Sequence, residues 1–324
     1  TEVRSGLMFD CLSELLPRIS ASSTDASGLD VPSADLVAGA VLSLLASLRQ
    51  HRVELTTGAI DLETVDALPV DRLLTTLRAL IDSVLRLETT TLARGNLYSA
   101  LINFLQLVKS HRSVDASGDL GGNDGASIVA SDLDETMSVG GISTTTTNIF
   151  GGHAQTSSLE ARTRSMLLSH AERLMDVLGR DALDASDLSK TIAFTLLDEL
   201  CALEAPSSAN NASRRGGSKC VDLLDRKGYI TSFVTALRDS DLALQETLRP
   251  DPASLNAMYV YEARLAFFNR MAQTRNGAER LLNAKIFDVL AQSDYLAARP
   301  DQDQEFVDLD SFLPAATERY NALL

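Results

Sequence analysis

The sequence predicts an all-α protein, an irregular superhelical solenoid of armadillo/HEAT-like helical repeats, on three observations. Apolar residues recur at spacings of three and four along almost the whole chain, which is the period of an amphipathic helix. Leu and Ala dominate the composition, aromatic residues make up only 5% and Trp is absent, which favours helices over sheets. The predicted helices are many and of similar length, with short turns and no sustained period-two alternation between them.

Four helices are predicted before residue 112, each with an apolar stripe on one face. Pro17 is expected to stop the first helix, Ser33 to cap the second and Pro69 to open the third. The stripes are Leu7, Met8, Cys11, Leu12, Leu15 and Leu16; Val37, Val41, Leu44, Leu45 and Leu48; Leu73, Leu74, Leu77, Leu80, Ile81 and Val84; and Leu97, Leu101, Phe104, Leu105 and Val108. We therefore predict a first block of solenoid repeats over residues 1–111.

Residues 112–157 interrupt this pattern. The segment holds eight glycines, a run of four threonines and six acidic residues against one basic residue. Such a composition buries too little apolar surface to offset the entropy lost on ordering the chain. We predict a disordered, acidic, Gly/Ser/Thr-rich insertion.

Helical periodicity resumes after the insertion, and residues 158–324 form the second predicted block of solenoid repeats. The expected caps, stops and turns are Ser157 with Glu160, Gly179, Ser186, Gly228, Asp251 with Pro252, and Thr274 with Gly277. Gly277 is expected to let the backbone reverse before a buried set of Ala278, Leu281, Leu282, Ile286, Phe287, Val289 and Leu290. The chain does not begin with Met and ends on an apolar pattern without a stop signal, so we expect a fragment truncated at its C-terminus.

Charge and cysteine content narrow the function. The net charge of −15 and the pI of about 4.7 oppose direct binding to nucleic acid or to an anionic membrane, and no apolar run is long enough to predict membrane insertion. The three cysteines are sparse and odd in number, which predicts buried thiols in a reducing compartment rather than a disulfide framework.

The sequence shows no pattern of catalytic chemistry. His51, His111, His153 and His170 have no partner at a metal-ligand spacing, and the common nucleophile and metalloprotease motifs are absent. We expect no enzymatic activity, no cofactor and no metal. An enzyme would require a cavity lined by several convergent titratable groups.

Two long segments carry a family resemblance. "GYITSFVTALRDSDLALQETL" begins at Gly228, and "YVYEARLAFFNRMAQTRNGAERLLNAKIFDVLAQSDYLAARPD" begins at Tyr259. Together with "RGNLYSALINFLQ" at 94–106 and "KTIAFTLLDEL" at 190–200, they resemble the giant inner-ring scaffold nucleoporins, the large α-solenoid adaptors of the nuclear pore complex. The resemblance places the chain in the middle to C-terminal half of such a protein.

The resemblance implies a non-enzymatic scaffold of the pore's inner ring, located at the nuclear pore complex in the nuclear envelope of the nucleus. Its expected partners are short linear segments of linker nucleoporins and of the inner-ring coiled-coil nucleoporin, with no direct binding to nucleic acid. The implied role is support of nucleocytoplasmic transport of protein and mRNA. The alternative is a karyopherin-like or armadillo-type transport or cargo adaptor, which would cycle and respond to a small GTPase.

The segment "EFVDLDSFLP", between Pro300 and Pro314, supplies the candidate partner-binding residues. They are Phe306, Val307, Leu309, Phe312 and Leu313. The segment is too short for a long helix and too apolar for a plain loop. It either packs back on its own solenoid or downstream helices, or forms a surface that accepts an amphipathic helix or extended peptide.

Overall fold

The computed structural model describes residues 2–21, 31–57, 69–86, 90–118, 156–204, 217–300 and 316–324, and every regular element in those ranges is a helix. The α-helices are α1 Glu2–Ala21, α2 Val31–Thr57, α3 Val70–Val84, α4 Thr91–Gly118, α5 Thr156–Ser169, α6 Ala171–Asp184, α7 Asp187–Glu204, α8 Lys219–Arg226, α9 Tyr229–Asp239, α10 Asp241–Thr247, α11 Asn256–Ala272, α12 Arg275–Asn283, α13 Ile286–Ala291 and α14 Ala316–Leu323. A short 3₁₀ turn, Asp294–Leu296, follows α13.

The helices stack in two layers. In the first layer α2 packs on α4, α4 on α7 and α7 on α11, and we call these four helices the ladder. The second layer contains α1, α3, α5, α6, α8, α9, α12 and α13, each packed on its neighbours and on the ladder or on helices next to it. One continuous apolar core runs between the layers. Because each helix contacts only near neighbours, the fold is an α-solenoid, which confirms the predicted class.

Several local predictions are confirmed. All six residues of the third predicted stripe and all five of the fourth are buried. Gly228 has a φ of 79° and separates α8 from α9, a left-handed backbone that glycine adopts without strain. The Thr274 hydroxyl caps α12 by accepting a hydrogen bond from the Gly277 amide at 3.1 Å. The Ser186 hydroxyl lies 3.5 Å from the Ser189 amide, where it caps α7.

The predicted boundaries of α1, α2 and α11 are wrong. Helix α1 continues through Pro17 to Ala21, because burial of Leu16 and Ile19 on either side offsets the lost hydrogen bond. Helix α2 begins at Val31, before Ser33, since a proline in the first turn already favours the helical φ. Helix α11 begins at Asn256 instead of near Asp251.

The turn before α11 explains that last difference. Asp251 and Pro252 belong to a non-helical turn, a conformation that both residue types favour. The Ser254 hydroxyl accepts a hydrogen bond from the Asn256 amide at 3.1 Å, and Leu255 occupies the N-cap position. An Asp-Pro pair therefore marked a turn here and not the helix start itself.

Two glycines serve close packing instead of chain reversal. Gly179 does not end a helix but lies inside α6, where an added Cβ would lie 2.6 Å from the Tyr229 ring. The predicted single helix is instead divided at His170. Gly277 lies in α12, where an added Cβ would lie 2.2 Å from the Met271 carbonyl oxygen. The left-handed residue in this region is Lys285, with a φ of 62°.

Burial also differs from prediction at several apolar positions. Leu7, Cys11, Leu282 and Phe287 were expected inside the core and are exposed, as is Leu188, which has the apolar spacing of a core residue. In α1 the buried stripe is set instead by four other residues: Phe9, Leu12, Leu16 and Ile19. Spacings of three and four fit more than one face of a helix, and the packing partner selects the face.

The N-terminal end of the predicted insertion is helical. Helix α4 continues to Gly118, the first glycine of the segment, because extending an existing helix costs far less than nucleating one. Helix α5 begins at Thr156, two residues before the predicted boundary. Residues 119–155 lie outside the described residues, so the disordered insertion and the domain limits stay predictions.

Candidate interaction surface

The ladder helices run in the same direction, with their N-terminal turns side by side. The Thr90 hydroxyl, just before α4, donates a hydrogen bond to the Asp35 carboxylate on α2. A Cβ placed on Gly95 of α4 would lie 3.6 Å from the Ser189 Oγ on α7. The N-terminal halves of α7 and α11 line a common cleft. One edge of the ladder is therefore formed by the first turns of all four helices.

Polar side chains fix the C-terminal halves of the same helices in register. Gln106 on α4 accepts a hydrogen bond from Arg49 on α2 and donates one to Glu199 on α7, with 3.3 Å between Nε2 and Oε1. Arg270 on α11 donates two hydrogen bonds to Asp198 on α7, at 2.9 and 3.2 Å. These hydrogen bonds raise the pKa of Arg270 and keep it charged.

A row of exposed apolar side chains follows the N-terminal edge of the ladder. Leu36 on α2, Leu92 on α4, Leu188 on α7 and Tyr259 on α11 are 75%, 56%, 66% and 48% exposed. Each lies within the first two turns of its helix, and the contacts above place these turns next to one another. We call these four residues the ladder row. Because it crosses four parallel helices, the row is a surface that no single helix could provide.

Below the ladder row, the same faces of α2 and α4 carry small, uncharged side chains, whereas those of α7 and α11 carry such side chains together with Glu199, Glu262 and Arg270. The small, uncharged positions follow the row residues at helical spacings of three, four, seven and eleven and are exposed or half-buried: Ala40, Ser43 and Ser47; Asn96, Ser99 and Asn103; Thr191 and Thr195; Ala263 and Ala266. We call them, together with the ladder row, the ladder face. In a chain with a net charge of −15, the uncharged part of this face on α2 and α4 is a distinct surface.

The ladder row ends at a cleft of about 460 Å³ between α7 and α11. Leu188 and Tyr259 line it together with Thr and Ala side chains of the ladder face. Two carboxylates, Asp187 and Glu262, also line it, and burial raises the pKa of Glu262. An apolar floor with carboxylates beside it suits an inserted apolar side chain that is flanked by a cation.

A buried polar cluster holds α4 against the second layer behind the ladder row. Arg94 binds the Asp181 carboxylate of α6 with nitrogen–oxygen distances of 2.6 and 3.0 Å, and the Tyr98 hydroxyl donates to it at 2.8 Å. Burial opposes the Arg94 charge, but hydrogen bonding and charge attraction to Asp181, with smaller contributions from Tyr98, together outweigh it, and the pKa of Arg94 is raised. Burial raises the pKa of Tyr98. The first turns of α4, with Leu92, are thereby fixed in place.

Arg264 and three phenylalanines support the α7–α11 pair from the core side. The Phe194 and Phe233 ring centroids are 5.0 Å apart, and Phe267 lies 6.3 Å from both. The Arg264 guanidinium lies 5.2 Å from the Phe194 ring centroid, a cation–π contact. Burial lowers the pKa of Arg264 to about 10. These contacts leave little freedom for α11 to move relative to α7.

The candidate residues predicted from the sequence, Phe306, Val307, Leu309, Phe312 and Leu313, lie outside the described residues and stay a prediction. The sequence prediction missed the ladder row. A signal for it existed, because Leu92 falls one residue after the start of α4 and outside the buried stripe. The register that joins it to Leu36, Leu188 and Tyr259 depends on helix packing, which spacing along one helix does not reveal.

Among the described residues, no group of three or more His, Cys, Asp or Glu side chains is arranged to hold a metal ion. None of the helices in the described ranges combines the length and hydropathy needed to cross a membrane. In the part of the chain that the structure describes, two packed layers of helices define an α-solenoid.

Comparison with known proteins gives the family. The family model for the nuclear pore complex scaffold, nucleoporins 186/192/205, matches residues 1–324 of the sequence. The chain belongs to that family. It is similar to the nuclear pore complex protein Nup205 of Homo sapiens, with 29% identity over 172 residues, 52% of this chain and 8% of the human protein. It is also similar to Nup205 of Drosophila melanogaster, 27% identical over 234 residues, which cover 71% of this chain and 10% of the fly protein.

A fungal relative agrees. Nucleoporin NUP192 of Chaetomium thermophilum is 32% identical over 181 residues, which cover 51% of this chain and 10% of the fungal protein. The chain thus spans about a tenth of the length of these curated relatives. The predicted resemblance is confirmed: this is a segment of a giant scaffold nucleoporin of the nuclear pore complex, in the nuclear envelope.

Proposed function

We propose that this chain is a non-enzymatic part of the inner-ring scaffold of the nuclear pore complex. It binds short linear segments of linker nucleoporins and of the inner-ring coiled-coil nucleoporin, and so supports nucleocytoplasmic transport. The ladder face is the observation that carries this proposal, because it offers partly apolar surface with few charged side chains across four rigidly packed helices.

The geometry supports binding better than catalysis. The described residues that line the α7–α11 cleft are mainly Leu, Tyr, Thr and Ala, and the carboxylates of Asp187 and Glu262 lie beside them. The polar clusters of Arg94 and Arg270 join helices to each other and fix the surface. A surface that is preformed in this way loses little conformational entropy when a partner segment binds.

A scaffold and a transport adaptor differ in how fast the protein exchanges at the nuclear pore complex. We would tag the native protein that carries this sequence and measure fluorescence recovery after photobleaching at the nuclear envelope. A scaffold exchanges slowly, so the bleached region should stay dark while a soluble transport receptor recovers. Affinity purification of the same protein should recover linker nucleoporins. Rapid recovery, together with the absence of nucleoporins from the purified material, would contradict the proposal.

A further inference from the structure

We propose that the ladder row receives one amphipathic α-helix from a partner, which crosses the four ladder helices and presents an apolar residue at every seventh position. The inference rests on the proposed function, because it specifies what kind of segment the scaffold binds. It specifies the spacing of the apolar residues in that segment, the path of the segment across the four ladder helices and the sign of its charge.

The spacing of the row sets the register. Packed helices lie about 8–10 Å apart, so successive members of Leu36, Leu92, Leu188 and Tyr259 are separated by about that interval. Seven residues of an α-helix span about 10.5 Å and return to nearly the same face, with a drift of about 20°. Apolar residues at i, i+7, i+14 and i+21 therefore match the four positions of the row.

An extended segment fits the same row less well. Side chains on one face of a strand recur every two residues, about 6.6–7 Å apart. This distance is shorter than the spacing of the ladder helices, so the second side chain would lie in the gap before the next helix. Three residues of a strand span the right distance but place the side chain on the opposite face. The row spacing therefore favours a helix over a strand.

The surface beside the row has room for a helix. Ala40, Ser43, Ser99, Thr191 and Ala266 occupy positions where long side chains would hold a partner backbone away. The cleft of about 460 Å³ at Leu188 and Tyr259 accepts the largest apolar residue of the partner. The strongest anchor should therefore lie at the α11 end of the bound helix.

Charge predicts the polar residues of the partner helix. Asp187 and Glu262 lie beside the last interval of the row. Asp187 pairs with the Lys190 ammonium at 3.7 Å, whereas Glu262 makes no ion pair with any described residue. The chain as a whole carries a net charge of −15. Lys or Arg next to the terminal anchor of the partner would complement Glu262 and accelerate association. We therefore expect a basic helix and not an acidic one.

The test uses two double variants of this chain. Leu92→Lys with Leu188→Lys places two cations in the ladder row. Leu242→Lys with Leu282→Lys is the matched control, since these leucines are 78% and 55% exposed on α10 and α12, outside the ladder. Circular dichroism and thermal unfolding first establish whether all three proteins fold equally, which we expect because every substituted side chain is exposed.

The probe is a synthetic basic peptide of about 28 residues with leucine at every seventh position. A second peptide has the same composition with its leucines at every fifth position. By fluorescence anisotropy, wild type and control should bind the seventh-position peptide about tenfold more tightly than the other peptide, and the row variant should lose this preference. Equal binding of the two peptides, or undiminished preference in the row variant, would overturn the inference.

Other occupants of the row give different results. If part of this chain covers the row, the row variant alone should unfold at a lower temperature. If a second copy covers it, wild type should sediment as a dimer and the row variant as a monomer. Either result overturns the inference. If peptide selectivity fails while the native protein still recovers linker nucleoporins and stays at the envelope, the proposed function survives and only the helical register is wrong.

Discussion

Gly179 and Gly39 lie in helices of the same solenoid but have different surroundings. A Cβ at Gly179 would lie 2.6 Å from the Tyr229 ring, whereas a Cβ at Gly39 would have its nearest neighbour, the Asn96 amide nitrogen, at 3.8 Å. The Tyr229 hydroxyl is bound to the Asp176 carbonyl and carboxylate at 3.2 and 3.1 Å, so the ring resists displacement. Close packing, rather than backbone freedom, explains the glycine in α6.

We therefore expect Gly179→Ala to destabilise the chain by about 1–3 kcal/mol, because the methyl group overpacks the α6–α9 contact. Gly39→Ala, the matched control, should raise the stability by up to about 1 kcal/mol, because alanine restricts the unfolded chain and favours the helix. Urea denaturation followed by circular dichroism measures both. Equal effects of the two substitutions would show that the Tyr229 contact does not constrain α6.

The cysteines differ in a way that alkylation can measure. Cys11 is exposed, whereas Cys201 and Cys220 are buried. Burial raises the pKa of Cys201 to about 12 and that of Cys220 well above its ordinary value. Since the thiolate is the reactive form, iodoacetamide at pH 8 should modify Cys11 and spare the other two until the protein is denatured. Modification of all three in the folded protein at one rate would contradict this burial.

At the scale of helices, ion pairs with similar distances are unequal in strength. Asp181 accepts hydrogen bonds from Arg94 and Tyr98 in the interior and connects α6 to α4. Arg275 and Glu279 form a surface pair within α12 at 2.8 Å, with side chains 80% and 56% exposed. Similar distances thus describe one contact that joins two layers and one that lies in solvent.

Asp181→Ala should cost about 3–5 kcal/mol, because it leaves the Arg94 charge and the Tyr98 hydroxyl buried without their acceptor. Glu279→Ala should change the stability by less than about 1 kcal/mol, since solvent screens an exposed pair. Guanidinium denaturation of wild type and of the two variants measures these changes in the free energy of unfolding. A cost below about 1 kcal/mol for Asp181→Ala would mean that water replaces the lost acceptor and that the cluster does not hold the layers together.

The sequence predicted which segments form helices, but it predicted the first and last residues of those helices less well. The stripe from Leu73 to Val84 predicted a helix whose buried face is unambiguous, because its apolar residues match a single face. Pro17 and Gly179 misled the prediction, since both obey local rules that tertiary packing overrides. Leu188 and Phe287 have the spacing of core residues, but no helix in the described part of the chain covers them.

For the molecule as a whole, the family was predictable and the interaction surface was not. Long segments such as "YVYEARLAFFNRMAQTRNGAERLL" carry the resemblance, and the family match over residues 1–324 confirms it. The ladder row joins residues as far apart as Leu36 and Tyr259, so only the parallel stacking of α2, α4, α7 and α11 reveals it. Its register is a property of the assembled solenoid and not of any one helix.

The central claim is that the ladder row contacts another nucleoporin in the assembled pore. The direct measurement replaces Leu188 with a photocrosslinking amino acid in the native protein, irradiates living cells and identifies the crosslinked peptides by mass spectrometry. Leu242, which is 78% exposed on α10, serves as the matched control position. We predict crosslinks from position 188 to a basic helical segment of another nucleoporin, and none to that segment from position 242. Crosslinks from position 188 only to soluble proteins outside the pore, or the same crosslinked products from positions 188 and 242, would contradict the claim.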